Sequence, residues 1–250
     1  MLTFKCFHKK ILKTFPIKKV ELLDFSWAKK MMEHLKTHTN WPAHTARCPG
    51  ISGMLTTGWI QRSYQDFEIE TNGDGSSFTW WSEVDQKKIN KLLGDYIGFH
   101  DAGQLSRFTI LPKETLHTHV KINSPWYVNI PKGYVLLVLP IPYPGHNLFS
   151  AAYGILKDNS VLNVPMMWHQ LNGKVFVKKG TPLCQYLLLK TESIEISNQL
   201  ITKKDIGLIR ESKKAIIKKQ LTQRVAKDKT MKKLYKKHLK GEYKRVSTTD

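Results

Sequence analysis

Between Ser124 and Leu189 proline and glycine cut the chain into short apolar runs, a pattern that leaves little room for long helices. The stretch opens with Ser124-Pro125-Trp126-Tyr127-Val128-Asn129-Ile130-Pro131-Lys132-Gly133-Tyr134 and runs into Val135-Leu136-Leu137-Val138-Leu139-Pro140. It closes with Lys174-Val175-Phe176-Val177-Lys178-Lys179-Gly180-Thr181-Pro182-Leu183-Cys184-Gln185-Tyr186, followed by Leu187-Leu188-Leu189. β-Branched and aromatic runs set off by Pro-x-Gly and Gly-x-Pro read as strands joined by tight turns. Val135–Leu139 is too short for a helix and is bounded by turn signals, so it fits a strand buried on both faces. Further turn signals fall at Pro112-Lys113, Pro144-Gly145, Lys157-Asp158-Asn159 and Asn172-Gly173. Regular punctuation of this kind predicts an antiparallel sandwich or barrel rather than a parallel sheet.

The clearest local signal lies earlier. Phe67-Glu68-Ile69-Glu70 and Phe78-Thr79-Trp80-Trp81 alternate with period two on either side of Thr71-Asn72-Gly73-Asp74-Gly75-Ser76-Ser77. Asn-Gly and Asp-Gly supply positive φ at little steric cost, which predicts a β-hairpin with a slightly long loop. One indole of Trp80-Trp81 then falls on each face, so one of them is core. Leu2, Phe4 and Cys6 share a face of an edge strand. Ala28 to Lys36 is helical, with Trp27, Met31, Met32 and Leu35 against the core. Trp41 to Gly58 reads as loop or turn, Val84 to Leu93 as a short helix, and Gly94 as its stop. The expected class is mainly β: residues 58–192 form the sandwich or barrel body. Residues 1–57 add an N-terminal strand, helix and loop, and residues 193–250 form a basic amphipathic helical tail.

Charge supports that division. The chain has a formal net charge of +20. Residues 201–250 hold 17 Lys/Arg against 5 Asp/Glu and residues 1–30 hold 8 against 2, whereas residues 31–200 hold 15 against 13. The ends, not the body, are drawn to phosphate. Lys213, Lys214, Lys218, Lys219, Arg224, Lys232, Lys233, Lys236 and Lys237 make the tail a candidate nucleic-acid contact whose affinity would fall steeply with salt. The competing reading is a solvated helix or one docked on an acidic protein. Cys6, Cys48 and Cys184 are few, odd in number and widely spaced, which argues against a disulfide framework and for a reducing compartment. No apolar run reaches membrane-spanning length, and the N-terminus lacks a secretory apolar region, so the expected location is cytoplasmic, with no membrane partner.

Three side-chain groups could carry chemistry. His117-Thr118-His119 would place two imidazoles on one face of a strand, a metal-binding geometry, with His146 or His169 as a distant third ligand. No carboxylate follows in Val120-Lys121-Ile122-Asn123-Ser124, and two solvent-facing histidines are the simpler reading. Asp66, Glu68 and Glu70 alternate on the hairpin strand, where outward-facing charge is commoner than an acid/base pair. Cys48 with His44 could suggest a thiol and base, although Cys-Pro in a turn more often packs.

Arg47-Cys48-Pro49, Gly58-Trp59-Ile60, Pro125-Trp126 leading to Pro131-Lys132-Gly133-Tyr134, and Lys179-Gly180-Thr181-Pro182 ending in Gln185 resemble an uncharacterised domain family associated with phages and marine bacteria. The resemblance runs from about Trp27 to Leu189. It makes Cys48, Pro49, Trp59, Trp126, Pro131, Gly133, Gly180, Pro182 and Gln185 structural motif residues and implies no activity. A more distant resemblance is to the dUTPase-like β-barrel (the β-clip). It rests on Asp101-Ala102-Gly103, Ile130-Pro131-Lys132-Gly133-Tyr134, Gly154-Ile155, Asp158 and the run Val177 to Gln185. That resemblance implies a barrel and a trimer, but the family's catalytic parts are missing. The Arg-Ser-Gly phosphate clamp is replaced by Pro140-Ile141-Pro142-Tyr143-Pro144. The catalytic Asp pattern reads Gly154-Ile155-Leu156-Lys157-Asp158-Asn159. A lysine helix stands where the Gly-rich, Phe-containing arm would be.

These readings favour a non-catalytic, phage-type accessory or structural protein whose β-body contacts a protein partner or a second copy. Such a protein would reside in the host cytoplasm or the virion. The alternatives are a nucleic-acid-associated protein that uses its tail, and a nucleotide- or metal-dependent enzyme on a dUTPase- or cupin-like barrel. No motif calls for a cofactor.

Overall fold

The computed structural model describes residues 1–21, 27, 30, 33, 48–89, 91–104, 110–111, 114–192 and 203–225. The chain divides into two units, Met1–Ser193 and Ile194–Asp250. The first unit is mainly β. Its strands are β1 (Thr3–Cys6), β2 (Lys18–Lys19), β3 (Trp59–Arg62), β4 (Phe67–Asn72), β5 (Phe78–Ser82), β6 (Ile97–His100) and β7 (His119–Asn129). They continue as β8 (Tyr134–Leu139), β9 (Phe149–Ala151), β10 (Gly154–Leu156), β11 (Ser160–Trp168), β12 (Asn172–Val177) and β13 (Pro182–Lys190). Short helices α1 (Lys9–Thr14), α2 (Pro49–Met54) and α3 (Gln86–Ile89) decorate them. In the second unit α4 spans Lys203–Val225.

The strands form three sheets. The first runs β1-β7-β11-β9 with β6 also paired to β7, the second runs β10-β8-β13-β3-β2, and the third runs β12-β4-β5. Among the described residues every strand pairing is antiparallel. Among the described residues no sheet closes into a barrel. Alternation decides which side chains go inward. Leu162, Val164, Met166 and Trp168 of β11 are fully buried, and they meet Val120 and Ile122 of β7, Leu136 and Val138 of β8, and Phe67 and Ile69 of β4 in one core between the sheets. Phe149 stacks on Trp168 with ring centroids 5.4 Å apart.

A polar seam crosses that core, and its hydrogen-bonding groups find partners there. Tyr96 donates its hydroxyl to Ser63 Oγ at 2.9 Å, and Ser63 Oγ donates on to the Gln65 carbonyl. Tyr64 donates to Gln86 Oε1 at 2.7 Å and accepts from Gln65 Nε2 at 3.3 Å, while Gln65 Oε1 takes the Val84 amide at 2.6 Å. Burial pushes the Tyr64 and Tyr96 phenols far above their ordinary range, so both remain hydrogen-bond donors. A seam whose members satisfy one another this way fixes how the sheets meet at little net cost, because each group exchanges water for a partner.

The hairpin forms as its sequence predicts, with Glu70 opposite Thr79 and Glu68 opposite Trp81. Gly73 and Gly75 take φ of +92° and +73°, and Asp74 Oδ1 accepts both the Ser76 amide and hydroxyl. Those bonds, the Ser76 amide first, hold the Asp74 carboxyl below its usual range. Several expectations need correcting. Trp80 and Trp81 are both exposed, at 40% and 52%, because β5 is the open edge of a sheet only three strands wide. Part of Trp41 to Gly58 is helix rather than loop: Pro49 sits at the start of α2, where its missing N–H costs nothing. The segment Val84 to Leu93 yields the single turn α3 and a 3-10 turn at Lys91–Leu93, and Gly94 follows at φ +66°. Asn172-Gly173 begins β12 instead of making a turn. Of the expected helix Ala28 to Lys36 only Lys30 and Glu33 are described, both helical, as is Trp27 just before it. Trp27 lies against Ile60, Leu55, Val20 and Ile141 in a second, smaller core. Met31, Met32 and Leu35 lie outside the described residues.

Gly58 fixes where that second core can form. Its φ is +87°, and a Cβ built there would lie 2.0 Å from the Tyr186 carbonyl oxygen. No side chain fits, so the chain leaving α2 passes against β13 only as glycine. Gly58→Ala is expected to cost roughly 3 kcal/mol or more, as strain and backbone displacement combine. Gly50→Ala, on α2 with open space around it, should be neutral or slightly stabilising. Chemical denaturation midpoints of the two variants against the parent check the contrast.

Candidate functional site

The second sheet has two differently covered halves on its outer face. Over β3, that face carries Ile60, which the small core of Val20, Leu55 and Ile141 covers completely. The boundary is Gln185, fully buried, whose Nε2 donates to the Met54 carbonyl at 2.7 Å and the Thr57 carbonyl at 2.6 Å. One carboxamide thereby holds the end of α2 and the following turn onto β13. Beyond Gln185 the cover stops. Leu137 of β8 stands in register between Leu187 of β13 and Ile155 of β10. Val135 stands opposite Leu189 in the next row. Ile155 is 58% exposed and Leu189 44%, while Val135, Leu137 and Leu187 are half-buried. The expectation that Val135–Leu139 is buried on both faces is thus corrected. Leu136 and Val138 face the main core, but the outward side chains meet only a partial layer.

The motif residues gather around this boundary and at two turns. Cys48 is exposed at the start of α2, beside Pro49. Trp59 pairs with Tyr186, and Phe4 rests its ring on both. The Gly180 turn, at φ +87°, is tied to β3 by its amide donating to the Ser63 carbonyl at 2.7 Å and by Arg62 Nη1 donating to its carbonyl at 2.9 Å. Pro182 stands opposite Arg62. Pro131 accepts the Tyr134 amide across the β7–β8 turn, with Gly133 at φ +78°. Trp126 is buried in the main core. Trp59, Trp126, Pro131, Gly133, Gly180 and Gln185 thus have a packing, turn or hydrogen-bonding role in view, whereas Cys48 is exposed. Cys184, wholly buried beside Tyr186, has its thiol pushed up to about 12 by desolvation, which leaves it no nucleophile.

The histidines are arranged differently from the sequence expectation. His117 lies in a bend before β7, exposed, with its amide donated to Gly75. His119 begins β7 and is only 5% exposed, directly opposite His100 of β6. The two are therefore not partners on one strand face. His119 Nε2 is buried without a hydrogen-bond partner. The proposed distant ligands are occupied: His169 lies 3.0 Å from Thr115 Oγ1 through Nδ1 and 3.0 Å from Ser150 Oγ through Nε2. His146 accepts the Leu148 amide and packs on Phe149. Among the described residues no three His, Cys, Asp or Glu side chains gather to hold a metal. Glu68 and Glu70 share Lys174, at 3.6 and 3.3 Å, and Asp66 accepts the Lys179 amide. These carboxylates have ordinary surface partners. His44 lies outside the described residues.

In the second unit, α4 is a helix in which eight Lys/Arg face two Asp/Glu. Lys214 and Lys218 are exposed, and Glu211 pairs with Lys214 at 3.0 Å. Lys213, Lys219 and Arg224 lie on the same helix, and Lys232, Lys233, Lys236 and Lys237 lie outside the described residues. Among the described residues no helix is long and apolar enough to cross a membrane.

No family model and no curated protein matches the chain. The phage-associated family therefore stays a resemblance of motifs. Among solved structures the chain is similar to the dUTPase of Staphylococcus bacteriophage 80alpha with dUPNHPP, at 10% identity and a TM-score of 0.37, over 81% of this chain and 90% of that one. A mutant form of that dUTPase matches with the same identity and score, over 98% of its own length. After β8 the chain sends Ile141 into the small core and turns at Tyr143, φ +52°.

Burial lowers the pKa of His119, with His100 adding to it, and burial alone lowers those of His146 and His169. Each then binds protons more readily unfolded than folded. Their stabilisation is complete above the unfolded value, about 6.5, and is lost as pH falls through the folded values. The melting temperature should therefore drop from pH 7 to pH 5 in a thermal scan, and His119→Gln should flatten that slope.

Proposed function

We propose that this chain is an accessory or structural protein that acts by binding, with the β-body as its contact surface. The observation that carries the reading is the half-covered outer face of the second sheet. An aliphatic set on β8, β10 and β13 continues a core that stops at Gln185. Apolar side chains in register on a sheet face are stabilised when a second layer removes them from water, by about 25 cal/mol for each Å² covered. A protein surface supplies such a layer, and a larger apolar patch rimmed by polar groups is typical of an interface. The rim here holds Lys132, Lys157 and Lys190, all exposed. A second copy of the chain is the first partner to test. Analytical ultracentrifugation of the parent should show concentration-dependent association, and Ile155→Lys with Leu189→Lys should sediment as a monomer. Both positions are exposed, so the double variant should fold. A parent that stays monomeric at every concentration removes self-association.

A second reading concerns the tail. The excess of cations on α4 favours contact with a phosphate polymer, held by charge rather than by base readout. Fluorescence anisotropy with single-stranded DNA and RNA should show binding by the full chain that weakens steeply between low and physiological salt. Changing Lys213, Lys214, Lys218 and Lys219 to Gln should weaken it roughly tenfold or more and reduce the salt slope. Absence of binding at low salt removes this reading.

A further inference from the structure

His169 is held at both nitrogens by hydroxyls that arrive from separate parts of the chain. Thr115, just ahead of β7, is 3% exposed and puts Oγ1 3.0 Å from Nδ1. Ser150, the middle residue of edge strand β9, puts Oγ 3.0 Å from Nε2. The imidazole is anchored between them by its own backbone, since the His169 amide donates to the Leu148 carbonyl at 2.8 Å. On the other side of the same junction the Leu116 amide donates to the Trp168 carbonyl at 2.8 Å, which fixes Thr115 next to the ring. Ser150 lies between Phe149 and Ala151, both turned into the core, so its side chain faces outward, and it is half-exposed, as is His169.

We propose that Ser150 is a nucleophile, with His169 as its general base and Thr115 as the residue that positions that base, and that the site takes the acyl group of small carboxylic esters. This goes beyond the binding role and does not depend on it. With the ring proton on Nδ1 and donated to Thr115 Oγ1, Nε2 presents its lone pair to the Ser150 hydroxyl. That is the arrangement in which imidazole activates a serine. Burial keeps His169 neutral at pH 7 and therefore able to accept the proton. Thr115 is uncharged, so it orients the ring without the stabilisation that a carboxylate gives the imidazolium. The acylation step balances as follows. Ser150 Oγ bonds to the ester carbonyl carbon as its proton passes to His169 Nε2. The carbon–alkoxide bond then breaks, and the alcohol leaves with the proton from Nε2. Water reverses the sequence, giving the carboxylic acid and free Ser150.

The test uses the full chain and a fluorophosphonate, which reports the nucleophile directly: Oγ bonds to phosphorus, fluoride leaves, and Nε2 takes the proton. Intact mass should show one adduct, mapped to Ser150, absent from Ser150→Ala and formed at least tenfold more slowly in His169→Gln. Thr115→Val should slow it by a smaller factor. The pH profile of the parent needs no variant to fold. Its labelling rate should rise with pH to a plateau, with the midpoint of the rise below the ordinary histidine pKa, as His169 loses its proton. No adduct, an adduct that persists in Ser150→Ala, or a rate that climbs steadily through alkaline pH would each overturn the proposal. With p-nitrophenyl acetate, a release of nitrophenol that Ser150→Ala lacks extends the result to esters, and equal release by both proteins overturns the ester assignment.

Discussion

β8 carries aliphatic side chains on both faces, so the sheet that contains it must be covered twice. On the inner side the requirement is met by the core shared with the first and third sheets. On the outer side it is met over half the area. Val20, Leu55, Ile141 and Trp27 form the second layer over β3, and Gln185 marks its border by spending its amide on two carbonyls of the segment leaving α2. Gly58 is the geometric condition for that layer, because only a residue without a side chain can pass the Tyr186 carbonyl at such close range. The glycine, the glutamine and the aliphatic rows thus belong to one problem, which is how far a second layer extends across a two-sided apolar strand.

Features that depend on neighbouring residues were legible in the sequence. Asn72-Gly73 and Asp74-Gly75 predicted the hairpin because positive φ is a local demand. The turn punctuation from Pro131 to Gly180 predicted an antiparallel β-body for the same reason. Other local signals misled because tertiary context overrode them. Pro49 looked like a breaker and instead starts a helix. Trp80 and Trp81 looked like one buried and one exposed ring, but the sheet ends at β5 and neither is covered. The spacing of His117 and His119 was measured along a strand that does not begin until His119.

The arrangements of most chemical interest had no local trace. Thr115, Ser150 and His169 meet because the segment before β7, the edge strand β9 and the end of β11 converge at one corner of the first sheet. His100 faces His119 only through the pairing of β6 with β7. None of these contacts has a spacing that could be read in one dimension. The seam through Ser63, Tyr64, Gln65, Gln86 and Tyr96 is similar. Its residues come from the β3–β4 connection, from α3 and from the position just before β6, and their partners are chosen by how the sheets close on one another.

Strand lengths at the borders of the two larger sheets have a consequence for solubility. β7, the longest strand, has one side occupied in turn by β6 and β1, each of four residues. β9 and β10 have three residues each and β2 has two. A border made of such short pieces offers few consecutive backbone groups to a passing extended chain, which is how natural sheets resist templating amyloid. The two larger sheets are therefore poor seeds at their rims while the second keeps an uncovered aliphatic face. The uncovered face and the short rims are thus separate features: a layer laid on the face would find little edge along which strand pairing could be extended.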